Sequence, residues 1–217
     1  MFRAILYTQW KWSRLPLLLG VLAGFALPIL SVQRVSQAGG YWQTRAMLAS
    51  VQAWGVLYPI LGATLALLIA ALAWAADDRG RHVYALSLPL PRWRYALLRF
   101  SAGLVLLAAP VVAVWIGGIL ATATVTIPTG LHAYPTMLAA RFALAVFVMY
   151  ALLFAISAGT VRMAGYVLIA LGLVVVVEVI ANAAGAHLSL LEQLLLALVV
   201  WPGPMDVITG RWMLIDV

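Results

Sequence analysis

The sequence predicts an all-α membrane protein, and two observations carry that prediction. Of the 217 residues, 66% are hydrophobic and only 9% are charged, more apolar surface than one water-soluble core of this size can hide. The apolar residues also come in long runs without the alternation of barrel strands, and within hydrocarbon the backbone N–H and C=O groups of such runs must be paired inside helices. The chain has no cysteine, which removes disulfides, thiolate chemistry and cysteine-held metals. Its formal net charge of +7 fits arginines retained on the cytoplasmic side of a membrane better than a nucleic-acid surface, so no nucleic-acid partner is expected. No small-residue cleavage site follows the first apolar run, and that run is expected to stay in the protein.

Residues 1–14 set Arg3, Tyr7, Lys11 and Arg14 on one side and Phe2, Ile5, Leu6 and Trp10 largely on the other. This spacing predicts an amphipathic helix lying in the headgroup layer, with a simple extension of the first span as the alternative. Five apolar stretches follow, at 15–32, 53–76, 97–121, 138–160 and 165–184, each near the ~20 residues that cross the hydrocarbon. A sixth, 188–201, is shorter and is stopped by Trp201-Pro202-Gly203-Pro204, which predicts a re-entrant or interfacial helix. Gly117-Gly118 and the stretch from Gly159 to Gly165 are expected to let helices approach closely. The whole chain, 1–217, reads as one transmembrane domain.

Basic residues near the span ends give the orientation. With the N-terminus in the cytoplasm, Arg3, Lys11, Arg14, Arg79, Arg81, Arg92, Arg94, Arg99 and Arg162 lie inside, leaving Arg34, Arg45, Arg141 and Arg211 outside. Residues 33–50 and 122–137 then face outward.

Catalytic chemistry has little to build on. The sole lysine, Lys11, is not in a phosphate-binding loop, so ATP must bind elsewhere. His82, His132 and His187 lie in three separate connecting regions without ligand spacing, and neither metal nor cofactor is expected. No serine sits in a nucleophile elbow. Glu178, followed one turn later by Asn182, is the acidic residue inside a span, which makes it either a functional group or a helix-to-helix hydrogen bond. Arg141, near the outer end of the fourth span, is a candidate partner for it.

The segment between the second and third spans carries the most pattern. It runs Asp77-Asp78-Arg79-Gly80-Arg81-His82, then the leucine-rich Leu86-Ser87-Leu88-Pro89-Leu90-Pro91-Arg92, and reaches Arg99 seven positions on. Pro91 can open the next helix. At these residues the chain resembles the permease subunits of type 2 ABC exporters: Gly80, Leu86, Ser87, Leu88, Pro89, Arg92 and Arg99 match the family's intracellular loop in position and spacing. Arg81 stands where the family has threonine, and Pro91 where it has serine. The N-terminal helix and the 188–201 stretch are similar to the family's connecting helix and outer re-entrant element, and the family has one more span beyond the point where Val217 falls.

The resemblance implies an exporter subunit in a cell membrane, most readily a bacterial inner membrane, with membrane lipid around it. Its partners would be separate cytoplasmic ATP-binding subunits and a second permease subunit of the same or a related chain. Residues 77–95 would couple to the ATPase through Asp78, Arg79, Gly80, Leu86, Leu88, Pro89, Pro91 and Arg92. The rival expectation is a non-transporting accessory subunit scaffolding a larger respiratory, photosynthetic or assembly complex.

Overall fold

The computed structural model describes residues 1–33, 41–79, 91–128, 130–158, 169, 172–178, 189–200 and 203–216. Most of these are helical: α1 (Phe2–Gln33), α2 (Tyr41–Gly55), α3 (Leu57–Arg79), α4 (Arg92–Ala123), α5 (Pro135–Ala158), α6 (Leu190–Val199) and α7 (Asp206–Thr209), with 172–178 also helical. Two short strands, β1 (His132–Ala133) and β2 (Ile215–Asp216), pair antiparallel. Among the described residues, four helical stretches are long and apolar enough to cross a membrane: Phe2–Gln33, Thr44–Trp74, Trp93–Ala123 and Pro135–Ala158. The chain is therefore a multi-pass, membrane-embedded helical protein. Of the fifth predicted span, 165–184, only Ile169 and residues 172–178 are described.

The bundle is two parallel pairs set antiparallel to each other. α1 runs alongside α4: Gln9 meets Arg99, and a Cβ on Gly117 would stand 2.5 Å from the carbonyl oxygen of Phe25. Backbone against backbone at that distance leaves no room for a side chain, which is the close approach expected of Gly117. The buried face of α1 consists of Gln9, Ser13, Leu17, Gly20, Gly24, Pro28, Ser31 and Val32, a three-and-four spaced stripe of mostly small residues that lets α4 settle against it. α3 runs alongside α5, joined by Trp74 against Phe154, while the α5 stripe Leu138, Phe142, Ala145, Val146, Tyr150 and Phe154 fills the centre.

Three boundaries differ from the sequence expectation. Residues 2–33 form one unbroken helix, so the interfacial helix expected over 1–14 is not a separate element. Pro16 sits inside α1 and removes only one backbone hydrogen bond, while packing on α4 continues on both sides of it. At ~1.5 Å per residue this helix is ~48 Å long against ~30 Å of hydrocarbon, and its surplus carries the exposed Tyr7, Trp10 and Trp12. The helix ahead of the second span starts as early as Tyr41, inside the stretch expected as a loop over 33–50, because Met47 and Val51 are buried in the core. It breaks at Val56, three residues before Pro59, which can give no N–H to the carbonyl of Gly55.

The opposite end of the bundle is capped by residues 203–216. Trp212 stacks on Tyr58 at 6.0 Å and meets Phe142 edge-on at 6.5 Å. Tyr134 donates its N–H to the Leu214 carbonyl, extending the β1–β2 pairing. α6 has ten residues, ~15 Å of helix and half of what a crossing needs. Beyond it the chain reverses, the Met205 N–H returning to the Leu198 carbonyl at 2.9 Å.

Candidate functional site

The sequence-predicted coupling residues divide between described and undescribed positions. Asp78 and Arg79 close α3, and their side chains lie outside the described atoms. Gly80, Leu86, Leu88 and Pro89 fall outside the described residues. Pro91 is the N-cap of α4, extended at φ −63° and ψ 140°, and its carbonyl accepts the N–H groups of Arg94 and Tyr95. Arg92 is the first helical residue, so Pro91 stands one position before the place a helix-opening proline usually takes.

Two turns into α4 the chain does something the surface count of arginines did not anticipate. Arg99 is only 5% exposed. Its Nε donates to the Tyr95 hydroxyl at 3.0 Å, and its Nη1 donates to the carbonyl oxygen of Ala73 on α3. The guanidinium carbon stands 5.2 Å from the Trp74 ring centroid and 5.0 Å from that of Tyr95. From α1, the Gln9 amide donates to the Arg99 carbonyl at 3.2 Å. Below the cation, Phe100 stacks on Tyr150 at 5.2 Å and meets Phe154 edge-on at 5.3 Å, and Trp74 closes on Phe154 at 5.4 Å.

Three helices thus meet at one arginine, and α5 packs on the rings beside it. A buried cation in a membrane helix costs several kcal/mol unless hydrogen bonds and π faces replace its water. Here a hydroxyl, a main-chain carbonyl and two rings do so, a set that the planar fork of Arg can satisfy and the point charge of Lys cannot. Because Ala73 and Arg99 flank residues 80–90, the same contact ties the two ends of that segment together. Three buried polar atoms beside it, Gln9 Oε1, Trp74 Nε1 and Tyr150 OH, have no hydrogen-bond partner among the described residues. The described groups of the cluster are a cation, phenols, an indole and an amide, which hold helices in register.

Arg141 lies at the other end, and its partners differ from the expected carboxylate. It donates from Nε to the Val207 carbonyl at 3.0 Å, from Nη2 to that of Asp206 at 2.9 Å and from Nη1 to that of Arg211 at 2.6 Å. Its guanidinium also sits 5.3 Å from the Trp212 ring centroid. Those carbonyls belong to a short helix and the irregular chain after it; that of Asp206 also accepts the Gly210 N–H, and the side chain takes up the acceptor capacity that remains. Glu178 is half-buried at the end of the helical residues 172–178, and Asn182 lies outside the described residues. No group of three His, Cys, Asp or Glu that could hold a metal occurs among the described residues.

The chain matches no known family, no curated protein and no solved structure with which it was compared.

Proposed function

We propose that the chain is the membrane-spanning permease subunit of an ATP-driven, ABC-type exporter, forming half of a substrate pathway and coupling through residues 77–95 to separate cytoplasmic ATPase subunits. The observation that carries this reading is the Arg99 brace. One side chain pins α3 to α4 on either side of residues 80–90, and its own carbonyl is held by α1. A push delivered between Arg79 and Pro91 would pass into the bundle as a movement of packed helices instead of being absorbed at a hinge. A loop that served only to orient the protein would need its positive charges at the surface and no such buried brace.

In this reading the Arg99 end and the N-terminus face the cytoplasm, and the Arg141 end faces outward. Residues 165–184 provide a fifth crossing, 188–201 dips into the outer leaflet and returns, and a second permease subunit completes the pathway. The test replaces Leu88 with Asp and compares membrane insertion with co-purification of a nucleotide-hydrolysing subunit. Insertion is expected to be unchanged, while ATPase binding and coupled transport are lost, because an apolar contact with the partner gains a charge. Retention of the ATPase at parental levels, or the absence of any such subunit from the parent protein, refutes the proposal and leaves the accessory-subunit reading.

A further inference from the structure

The Arg141 end contains a cleft of about 680 Å³ that nothing described in the chain fills. One wall is a single face of α5, the i, i+3, i+4, i+7 series Met137, Ala140, Arg141 and Leu144; the other is the segment carrying Asp206, Arg211, Met213 and Asp216. Along α5 the cleft extends from Tyr134 to Leu144, ~15 Å of helix, or from the interface to about the middle of the bilayer. Its lining is amphipathic along this length: a phenol, two carboxylates and two arginines alternate with apolar side chains, of which Met137 and Leu144 are 69% and 55% exposed.

We propose that this cleft holds one zwitterionic phospholipid with a primary-ammonium headgroup as a resident ligand, its phosphate on Arg211 and its ammonium on Asp206. The mixed lining selects the class: a soluble anion has nothing to lay on Met137 and Leu144, and a hydrocarbon has nothing to offer the carboxylates and arginines. Charge selects the headgroup. Arg141 is already committed to three carbonyls, while the exposed guanidinium of Arg211 makes no hydrogen bond among the described residues, so Arg211 is the available phosphate donor. The two aspartates balance the two arginines, which favours a neutral headgroup over an anionic one, and an ammonium that can donate hydrogen bonds over a quaternary one. The site depends on the chain being membrane-embedded and not on what it transports.

The full chain is delipidated in detergent and reconstituted into nanodiscs with equal parts phosphatidylethanolamine, phosphatidylcholine and phosphatidylglycerol. It is then re-extracted, and the retained lipid is identified by native mass spectrometry. One phosphatidylethanolamine per chain is expected. Arg211→Ala should lower its retention about tenfold, the loss of one charge-assisted hydrogen bond, and Met137→Trp should do the same by filling part of the cleft. Arg94→Ala, a basic change at the opposite end of the bundle, should leave retention unaltered and serves with helical circular dichroism as the control for folding. Equal or greater retention of phosphatidylglycerol overturns the headgroup assignment. Displacement of the lipid by O-phosphoethanolamine at equal concentration shows a soluble phosphate site and overturns the lipid. Unchanged retention in both cleft variants places the lipid elsewhere and overturns the site.

Discussion

Replacing Arg99 with lysine tests whether the guanidinium fork, as distinct from positive charge, holds α4 against α3. The fork reaches the Tyr95 hydroxyl and the Ala73 carbonyl from two different nitrogens and lies against two rings. An ammonium keeps the charge but can stand at only one of those positions. The variant therefore forfeits one hydrogen bond to a charged group, ~1.5–3 kcal/mol, and part of a cation–π contact, ~0.5–1 kcal/mol. A net loss of ~2–4 kcal/mol is expected from these terms together. Tyr95→Phe removes the hydroxyl alone and should cost ~1–1.5 kcal/mol, and in combination with Arg99→Lys should cost less than the sum, because both changes break the same contact. Reversible denaturation in mixed micelles, followed by circular dichroism, measures all three proteins. An Arg99→Lys protein within ~0.5 kcal/mol of the parent, the usual scatter for surface changes, would refute the brace and remove the main support for the coupling proposal.

Gly117→Leu is expected to destabilise the bundle by more than the ~1–3 kcal/mol typical of overpacking, since the obstacle is the Phe25 backbone and cannot rotate away; the same denaturation assay checks it. Trp212→Ala removes the stack on Tyr58, the ring beneath Arg141 and the indole hydrogen bond to the Ile208 carbonyl. It should cost ~3–5 kcal/mol locally and expose residues 203–216 to protease while α4 and α5 stay protected. Single cysteines at Ser189 and Asp206, in a chain that has none, should both react with an impermeant thiol reagent from outside intact cells, whereas one at Ser87 should not. Labelling of residue 87 from outside would reverse the proposed orientation.

What could be read in advance divides along a physical line. Apolar length announces a membrane helix whatever its neighbours, and the four long helices lie where the runs of Leu, Ala and Val lie. Pro91 and Gly117 were legible because each acts through its own backbone, one by lacking an N–H and the other by lacking a Cβ. The role of Arg99 was not, since Arg92, Arg94 and Arg99 look alike as charges near a span end. The clue was local: Tyr95 stands one turn before Arg99, and Trp74 lies near the end of the preceding helix. The carbonyl partners of Arg141 could not have been found from residue types, because every residue carries a carbonyl and only the fold decides which come within its reach. The early start at Tyr41 was masked by Gln43, Arg45 and Gln52, polar residues that share a helix with the buried Met47 and Val51.

The cap that Arg141 builds has a consequence for the order of assembly. Arg141 and the Val207 carbonyl it bonds are 66 positions apart, so the arginine leaves the ribosome several seconds before its partners exist, at ~5–20 residues per second. During that interval α5 must enter the membrane with a cation one and a half turns below its start, kept near the interface by reaching upward to water and headgroups. Only when residues 206–211 arrive can it exchange those contacts for carbonyls, and the same event seats Trp212 on Tyr58. The Arg141 end of the bundle is thus completed only after the helix that carries it is inserted, as a lid fitted to helices already in place.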